Sequence, residues 1–274
     1  MITQQGRRQP RTAVRVLAPL LAGCLSASAA PAQTAPPPAS SQLDAVQQRG
    51  ALQVCTTGDY KPFTFHRAES DAYEGIDIDL ARSLAKAIGV EPKFVKTKWS
   101  DLMADFTGGK CDIAMGGISV TLERQKRAFF SAPYLVNGKA PIARCADKDK
   151  FGTLAAIDRP EVTVIVNPGG TNERFVRGNL KQARIEVFPD NVTIFDQVLA
   201  GKADLMVAES IEVKLQEKLR PDLCAINPDQ PLQYGEMGYL LPRGDTVFKA
   251  FVDQWLHLAK ASGEFARIYD GHVR

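Results

Sequence analysis

Short apolar segments alternate with amphipathic segments along most of the chain, and this alternation limits the fold more than any other feature. ALQVCTT, at residues 51–57, is typical of a strand, and GIDIDLARSLAKAIGV, at 75–90, has apolar residues at helical spacing. The same order recurs through PKFVKTKW, SDLMADFTGG, CDIAMGGIS and TLERQKRAFF. Repeated strand–helix units predict an α/β architecture with sheets of parallel type.

A second series of such units follows the extended segment SAPYLVNGKAPIARC, at residues 131–145. It runs through the strand-like VTVIVNPGG, ARIEVFPD and ADLMVA, each followed by a helix-like segment, and the chain ends in a long amphipathic stretch. The 274 residues are enough for two lobes. We therefore predict one lobe from residues 45–142 with 236–274, and a second from 143–235.

The first 33 residues are typical of an export signal. Arginines and no acidic residue precede VLAPLLAGCLSASAAPA, an apolar stretch too short to cross a membrane as a helix. Small residues before Gln33 fit a signal-peptidase site, whereas LAGC, ending at Cys24, resembles a lipobox. We therefore predict a periplasmic protein, either soluble or, if lipidated at Cys24, bound to the membrane. The residues at 34–44, rich in Pro, Ala and Ser, predict a linker.

Composition argues against nucleic acid and metal as partners. The formal net charge is only +3, and the arginines of the export signal account for its sign. The three histidines are scattered, and no CxxC pattern suggests a metal site. We expect a small-molecule ligand, with neither a metal nor an organic cofactor. The oligomeric state stays open, a homo-oligomer included.

Three turns that follow predicted strands indicate a cleft for a small anion. GGISVTLER, NPGGTNERF and AESIE each lead from the end of a strand into a helix, which is where α/β proteins bind ligands. Helix N-termini present free N–H groups that favour anions, and Arg124 can add a bidentate contact to a carboxylate. Each turn taken singly is equally compatible with a tight turn and a solvated arginine; the three together favour a binding cleft.

The residues expected to line this cleft lie in those turns, after the first strand and at the start of a helix. They are Asp59, Tyr60, Trp99, Ser119, Thr121, Arg124, Asn167, Gly170, Thr171, Asn172 and Glu209. Tyr60 and Trp99 can form an apolar wall, although a core position explains the tryptophan almost as well. The two asparagines flank the glycine turn and can donate hydrogen bonds to a carboxylate.

Glu209 and Glu212, in ADLMVAESIE, stand three residues apart where a strand gives way to a helix. Residues at this spacing share a helix face, so both carboxyl groups can point into the cleft. A solvated glutamate, stabilised by the positive end of the helix, explains the pattern as well. The spacing alone leaves the two interpretations open.

Several long segments resemble the periplasmic amino-acid-binding proteins of ABC transporters. They are CTTGDYKPFTF, GIDIDLARSLAKAIG, GKCDIAMGGISVTLERQKRAFFSAPY, VNPGGTNERF and GKADLMVAES. The resemblance covers nearly all of residues 45–270 and implies a two-lobed, type II periplasmic-binding-protein fold with a hinge and a central cleft. It implies an α-carboxylate at Thr121 and Arg124. It places Glu209 where the family usually has an aspartate that binds the α-ammonium group.

Other segments resemble the periplasmic cyclohexadienyl dehydratases, an enzyme family built on the same fold. They include PIARCAD, IDRPEVTVIVNPGGTNERF, PDNVTIFDQVLAGKADLM and LQYGEMGYLLPRG. This resemblance implies a lyase that converts prephenate to phenylpyruvate and arogenate to phenylalanine, without a cofactor. The competing interpretation is a non-enzymatic amino-acid-binding subunit of an ABC importer.

The dehydratase reaction needs an acid that protonates the departing hydroxyl group near neutral pH. Glu212 stands where the transport proteins usually have an apolar residue, so we predict Glu212 as this acid. Glu173, after the glycine turn, is the second candidate, although a capping role explains it better.

The cysteines other than Cys24 allow three pairings in an oxidising compartment. Cys145 and Cys224 fall at the ends of strands beside the segments that join the lobes, so we predict a disulfide between them. Cys111 is additional to the pattern of the dehydratases, and we predict a thiol in the core there.

Overall fold

The computed structural model of the protein describes residues 40–273. The predicted export signal, Cys24 and most of the predicted linker therefore lie outside the described residues. The first helix begins at Gln42, where the Ser41 side chain accepts a hydrogen bond from the Leu43 N–H, so the last residues of the predicted linker are helical.

The helices of the described part are α1 (Gln42–Arg49), α2 (Ile76–Ile88), α3 (Leu102–Thr107), α4 (Leu122–Gln125), α5 (Leu154–Ile157), α6 (Thr171–Asn179), α7 (Ile194–Leu199), α8 (Ser210–Leu219), α9 (Thr246–Ala261) and α10 (Glu264–Val273). The strands are β1 (Ala51–Thr56), β2 (Asp59–Tyr60), β3 (Thr64–Arg67), β4 (Ala72–Glu74), β5 (Glu91–Lys96), β6 (Ile113–Ala114), β7 (Phe129–Phe130), β8 (Leu135–Arg144), β9 (Thr163–Val166), β10 (Arg184–Val187), β11 (Leu205–Glu209), β12 (Leu223–Ala225), β13 (Gln233–Met237) and β14 (Leu240–Leu241).

Two mixed sheets form the centres of two lobes. The first has the strand order β5-β1-β6-β14-β7, and the second has the order β10-β9-β11-β8-β12, with β13 paired to β8. The neighbours of β1 are parallel to it, whereas β14 runs antiparallel to β6 and β7. Because β14 returns to the first sheet after the second is complete, the first lobe is discontinuous in sequence. This is the predicted α/β architecture.

Helix α2 shows how the pattern of the sequence produces packing. Its apolar residues recur on one face, and Ile76, Leu80 and Leu84 are buried in the core of the first lobe. The helix ends at Gly89, whose φ of 88° is the left-handed conformation that glycine adopts without steric cost. Burying such side chains stabilises the fold by about 1.5–3 kcal/mol each.

Strands β8 and β13 connect the lobes as an antiparallel pair, in register from Leu135 opposite Met237 to Lys139 opposite Gln233. From Lys139 onward, β8 also pairs with β11 of the second sheet. The lobe boundaries predicted at 142/143 and 235/236 fall inside these two strands. We propose that the hinge lies in this paired segment.

Short or interrupted elements differ from the sequence prediction. CDIAMGGIS contributes only the two residues of β6, and TLERQKRAFF, predicted as one helix, forms the four residues of α4 and the two of β7. The long C-terminal helix is broken into α9 and α10 at Gly263, which has a φ of 76°. The small sheet β2-β3-β4 was not predicted, because strands of two to four residues are too short to show a periodic pattern.

Two disulfides are present in the described residues. Cys145 and Cys224, the pair chosen from the sequence, are joined by an S–S bond of 2.05 Å within the second lobe. The prediction of a core thiol at Cys111 is wrong, because Cys111 is bonded to Cys55 of β1 at 1.98 Å. Its side chain is buried, as expected, but it is covalently paired.

Candidate active site

A small cavity of about 20 Å³ lies where the two lobes meet. This volume is far below the range for small-molecule sites, roughly 300–1,000 Å³, so a ligand of that size binds only when the lobes move apart. The lobes touch beside it, since Ser119 Oγ lies 3.1 Å from Thr171 Oγ1 and Asn191 Nδ2 donates to the Asp59 carbonyl at 3.1 Å. The cavity is lined by Tyr60, Trp99, Gly117, Ser119, Asn167, Gly170, Thr171, Asn172, Asn191, Glu209 and Glu212.

Most of the residues expected to line the cleft therefore meet at this cavity. The exceptions are Asp59, Thr121, Arg124 and Glu173. The ends of β9 and β11 supply the second lobe's part of the wall, in agreement with the rule that ligands bind beyond strand ends.

Glu209 is held by a dense set of polar contacts. Its Oε1 forms an ion pair with the Lys139 ammonium group and accepts a hydrogen bond from Ser119 Oγ at 2.9 Å. Its Oε2 accepts a hydrogen bond from Asn137 Nδ2 at 2.9 Å. Both oxygens are therefore engaged in the structure, and the buried carboxylate is neutralised by a cation of the protein itself.

Lys139 is the centre of this network. Its ammonium group also donates to Asn172 Oδ1 at 2.6 Å and to Thr171 Oγ1 at 2.9 Å. Burial lowers the pKa of Lys139, and the negative charge of Glu209 opposes this effect. Three donated hydrogen bonds satisfy the ammonium group, which is the condition under which a buried lysine is tolerated.

Glu212 lies in the first turn of α8 and is only 2% exposed. No ion pair to its carboxyl group is found within residues 40–273. Burial raises the pKa of Glu212 well above its ordinary value, and the charge of Glu209 raises it further, while Lys139 lowers it. Glu212 therefore keeps its proton at pH values where an exposed glutamate has lost it.

Two aromatic side chains form the wall contributed by the first lobe. Tyr60 and Trp99 contact each other edge to face, with ring centroids 5.6 Å apart. The buried Tyr60 hydroxyl has no hydrogen-bond partner within the described residues. It can therefore donate to a ligand in the cavity without losing an existing bond.

Asp59 supports Trp99 and does not line the cavity. Its Oδ1 accepts a hydrogen bond from Trp99 Nε1 at 3.1 Å, and burial raises its pKa. The expectation that Asp59 contacts the ligand is therefore not supported by the geometry, which gives this carboxyl group the role of orienting the indole.

Gly117, which forms the floor of the cavity, is held by the buried carboxyl group of Asp77. Asp77 accepts hydrogen bonds from the Gly117 N–H at 2.5 Å, from Tyr134 Oη at 2.7 Å and from Tyr239 Oη at 3.1 Å. Gly117 has a φ of 68°, and a Cβ there would lie 2.4 Å from the Tyr60 ring. Burial raises the pKa of Asp77 to about 6, although these hydrogen bonds lower it.

Thr121 and Arg124 lie behind the cavity wall in this structure. Thr121 Oγ1 accepts from the Arg124 N–H at 3.2 Å and so caps α4. The buried Arg124 side chain donates to the Ser119 carbonyl at 2.8 Å, and its Nε has no partner within the described residues. Burial lowers the pKa of Arg124 to about 10. In this structure Arg124 supports the Ser119 backbone, and its implied contact with a carboxylate stays a prediction.

Glu173 also lies outside the cavity lining. Its Oε2 accepts from the Gly169 N–H at 2.7 Å, and its Oε1 pairs with Arg177 at 2.8 Å. These interactions lower the pKa of Glu173, the backbone hydrogen bond most strongly. A carboxylate held in its charged form is poorly suited to act as an acid, so the geometry favours the capping role.

Sequence reasoning missed Asn137, Lys139 and Asn191. Lys139 carried a signal, because it stands in a strand that is otherwise buried and mostly apolar, where an unpaired lysine is rare. Asn191 follows β10 at a turn, a position shared with the other site residues. No cluster of metal-ligating side chains occurs in the part of the chain that the structure describes.

The two-lobed fold and a cavity at the lobe interface define a solute-binding protein, and comparison with known families agrees. Residues 52–274 match the bacterial extracellular solute-binding proteins, family 3, and the chain belongs to this family. The cyclohexadienyl dehydratase of Pseudomonas aeruginosa is 55% identical over 223 residues, 81% of this chain and 82% of that protein. The predicted resemblance to these enzymes is confirmed.

Solved structures give the same picture. An ancestral cyclohexadienyl dehydratase is 48% identical, covers 86% of this chain and 97% of its own, and has a TM-score of 0.55. An ancestral amino acid-binding protein, described as a precursor of cyclohexadienyl dehydratase, is 33% identical, with a TM-score of 0.79 over 85% of this chain and all of its own. The predicted fold class is confirmed. No helix in the described residues is long and apolar enough to cross a membrane.

Proposed function

We propose that the protein is a cyclohexadienyl dehydratase, which converts prephenate to phenylpyruvate and arogenate to phenylalanine in the cavity between its lobes. The observation that carries this proposal is Glu212, a carboxyl group buried in the cavity wall, whose pKa burial raises well above its ordinary value. A solute-binding protein that only holds its ligand has no need for a proton donor at this position.

The reaction removes carbon dioxide and a hydroxyl group from the substrate ring. The electron pair of the breaking carbon–carboxylate bond moves into the ring, which becomes aromatic as the hydroxyl group leaves. Glu212 donates the proton that turns this group into water, a contribution typically worth about 10²–10⁴-fold in rate. Its raised pKa keeps the proton available; burial is the largest cause of the rise, and the charge of Glu209 adds to it.

Other parts of the cavity suit the rest of the substrate. Tyr60 and Trp99 offer an aromatic wall for the ring. The N-terminus of α6, at Gly170 and Thr171, offers free N–H groups for a carboxylate. Ser119 lies across the cavity mouth from Thr171 and offers a hydroxyl group. A dicarboxylate with a six-membered ring matches this arrangement.

The state of Glu209 argues against a simple amino-acid carrier. A carrier would use this carboxylate to bind the ammonium group of its ligand, but here Lys139 and Asn137 engage both oxygens. An incoming amino group would have to compete with a cation that is already buried and hydrogen-bonded. A keto acid such as prephenate does not need that contact, so the same arrangement favours prephenate over arogenate, which carries an amino group.

We also propose a periplasmic location for the mature protein, with the family's extracellular character as support. Mass spectrometry of the mature N-terminus distinguishes cleavage before Gln33 from lipidation at Cys24. A homo-oligomer is tested by light scattering of the purified protein.

The proposed function is tested by incubating the mature protein with prephenate and measuring phenylpyruvate absorbance after an alkaline quench. We expect turnover by the wild type and a loss of at least about 10²-fold in Glu212→Gln. Glu173→Gln is the matched control, because it removes a glutamate of the same lobe outside the cavity, and it should retain most of the activity. Tight binding of an amino acid without any turnover would contradict the proposal.

A further inference from the structure

The proposed reaction requires Glu212 to regain a proton after each turnover. This inference rests on the proposed function. Prephenate is a dianion, and its products are the phenylpyruvate monoanion, carbon dioxide and water, so each turnover consumes one proton. Glu212 supplies that proton and is left as a carboxylate. It must be protonated again from solvent before the next substrate reacts.

Glu212 faces a second space besides the substrate cavity. This space, called the passage below, has a volume of about 70 Å³. Its wall is partly polar, with Asp59, Lys61, Gln216 and Arg220, and partly apolar, with Phe65, Val192 and Leu219. Glu212 and Asn191 line both spaces. The acid therefore stands between the substrate on one side and the passage on the other. The volume is enough for several water molecules, since one water needs only about 10–15 Å³ of such space.

A row of polar side chains on α8 and the residue after it borders the passage, although the apolar Leu219 also lines it. Glu212, Gln216 and Arg220 follow one another at intervals of four residues, so their side chains lie in one row. The buried Gln216 accepts a hydrogen bond from Arg220 through its Oε1. Arg220 in turn pairs with the exposed Asp196 at 2.8 Å. A fixed polar row of this kind can hold water next to an otherwise enclosed acid.

Asn191 supplies a second, independent observation. Its Nδ2 is used by the Asp59 carbonyl, but its buried Oδ1 has no hydrogen-bond partner within the described residues. This acceptor lies where the two spaces meet, beside Glu212. A buried acceptor of this kind calls for a donor, and water in the passage can provide one.

We propose that this passage delivers the proton that recharges Glu212 after each turnover, and that Gln216 is the positioning residue that keeps it polar. The charged groups facing Glu212 are Glu209 and Lys139 on the cavity side, with Asp59 as the nearest carboxyl group on the passage side. Lys61 and Arg220 complete the charges on the passage wall. The competing route is recharging through the substrate cavity when the lobes separate.

The test compares the first turnover with later ones in Gln216→Leu, a change that removes the polar group without altering charge. With enzyme in excess over prephenate, the variant should form product at the wild-type rate, because Glu212 begins protonated. With substrate in excess, it should release one product per site in a burst and then slow by at least about tenfold. Small buffer acids such as imidazole should restore the steady rate.

A second variant tests whether the effect of Gln216→Leu comes from the passage or from a local change around Glu212. Leu219→Trp narrows the passage from a residue that is 53% exposed, so the fold should tolerate it, and the same burst is expected. If both variants have the steady-state rate of the wild type, the passage does not deliver the proton and the proposal is rejected. So would an equal slowing of the first turnover and later ones, which would indicate a structural role. Absence of turnover in the wild type would instead reject the proposed function.

Discussion

Asp77 gives a prediction whose size follows from the structure. This carboxyl group is fully buried beneath the cavity floor, and its pKa rises from 3.8 to about 6. A difference of about 2 pKa units between the folded and unfolded states corresponds to about 3 kcal/mol. Replacing Asp77 by Asn removes the titration while keeping the shape of the side chain.

The sign follows from which state holds the proton. Between about pH 4 and pH 6, the folded protein retains a proton on Asp77 that the unfolded chain has released, so the free energy of unfolding falls as the pH rises. Asp77→Asn lacks this loss. The stability of the variant relative to wild type should therefore rise by about 2.4 kcal/mol between pH 4 and pH 7, since part of the titration of the unfolded chain lies below pH 4.

Urea unfolding, followed by tryptophan fluorescence at several pH values, measures this difference directly. Carboxyl groups with lowered pKa values, such as Asp105 and Asp190, act in the opposite direction, but they are common to both proteins and cancel. Parallel stability curves for the two proteins across this pH range would refute the argument. A constant offset alone would report only the loss of hydrogen bonds to Tyr134 and Tyr239.

Three further changes have defined outcomes. Lys139→Met leaves Glu209 buried without its cation, so it should lower the free energy of unfolding, measured in urea, by about 3–5 kcal/mol. The double variant with Glu209→Gln should recover most of this loss, because the unpaired charge is then removed. Replacing Cys55 and Cys111 together by Ala opens a loop of 56 residues and should cost about 4 kcal/mol in the same assay, whereas an unchanged midpoint would contradict the chain-entropy estimate. Gly117→Ala brings a methyl group to 2.4 Å from the buried Tyr60 ring in a left-handed backbone conformation, so it should lower both the thermal stability and kcat/KM for prephenate. An unaltered kcat/KM would show that the Tyr60 ring can move without harm to the site.

The parts of the site that the sequence predicted are those determined by local order. Glu209 and Glu212 share a helix face because of their spacing, and the turns after β9 and β11 reach the cavity because strand ends meet at one edge of a sheet. The alternation of strand-like and helix-like segments predicted the two lobes, because it too is a local property of the sequence.

The parts that were missed depend on contacts between distant segments. Lys139 meets Glu209, a partner 70 residues away, and no local pattern indicates that pairing. The hydrogen bond from Trp99 to Asp59, which joins residues 40 positions apart, was likewise not predicted. Cys111 was taken for a free thiol because its neighbour in space, Cys55, lies 56 residues earlier in the chain.

The two disulfides have a consequence for how the protein can move. One ties β1 to the residues just before β6 inside the first lobe, and the other ties the end of β8 to β12 inside the second. Neither bridges the paired strands that join the lobes. Each lobe is therefore cross-linked internally, whereas neither disulfide joins one lobe to the other. Reduction of the disulfides would destabilise each lobe without changing how freely the lobes open and close.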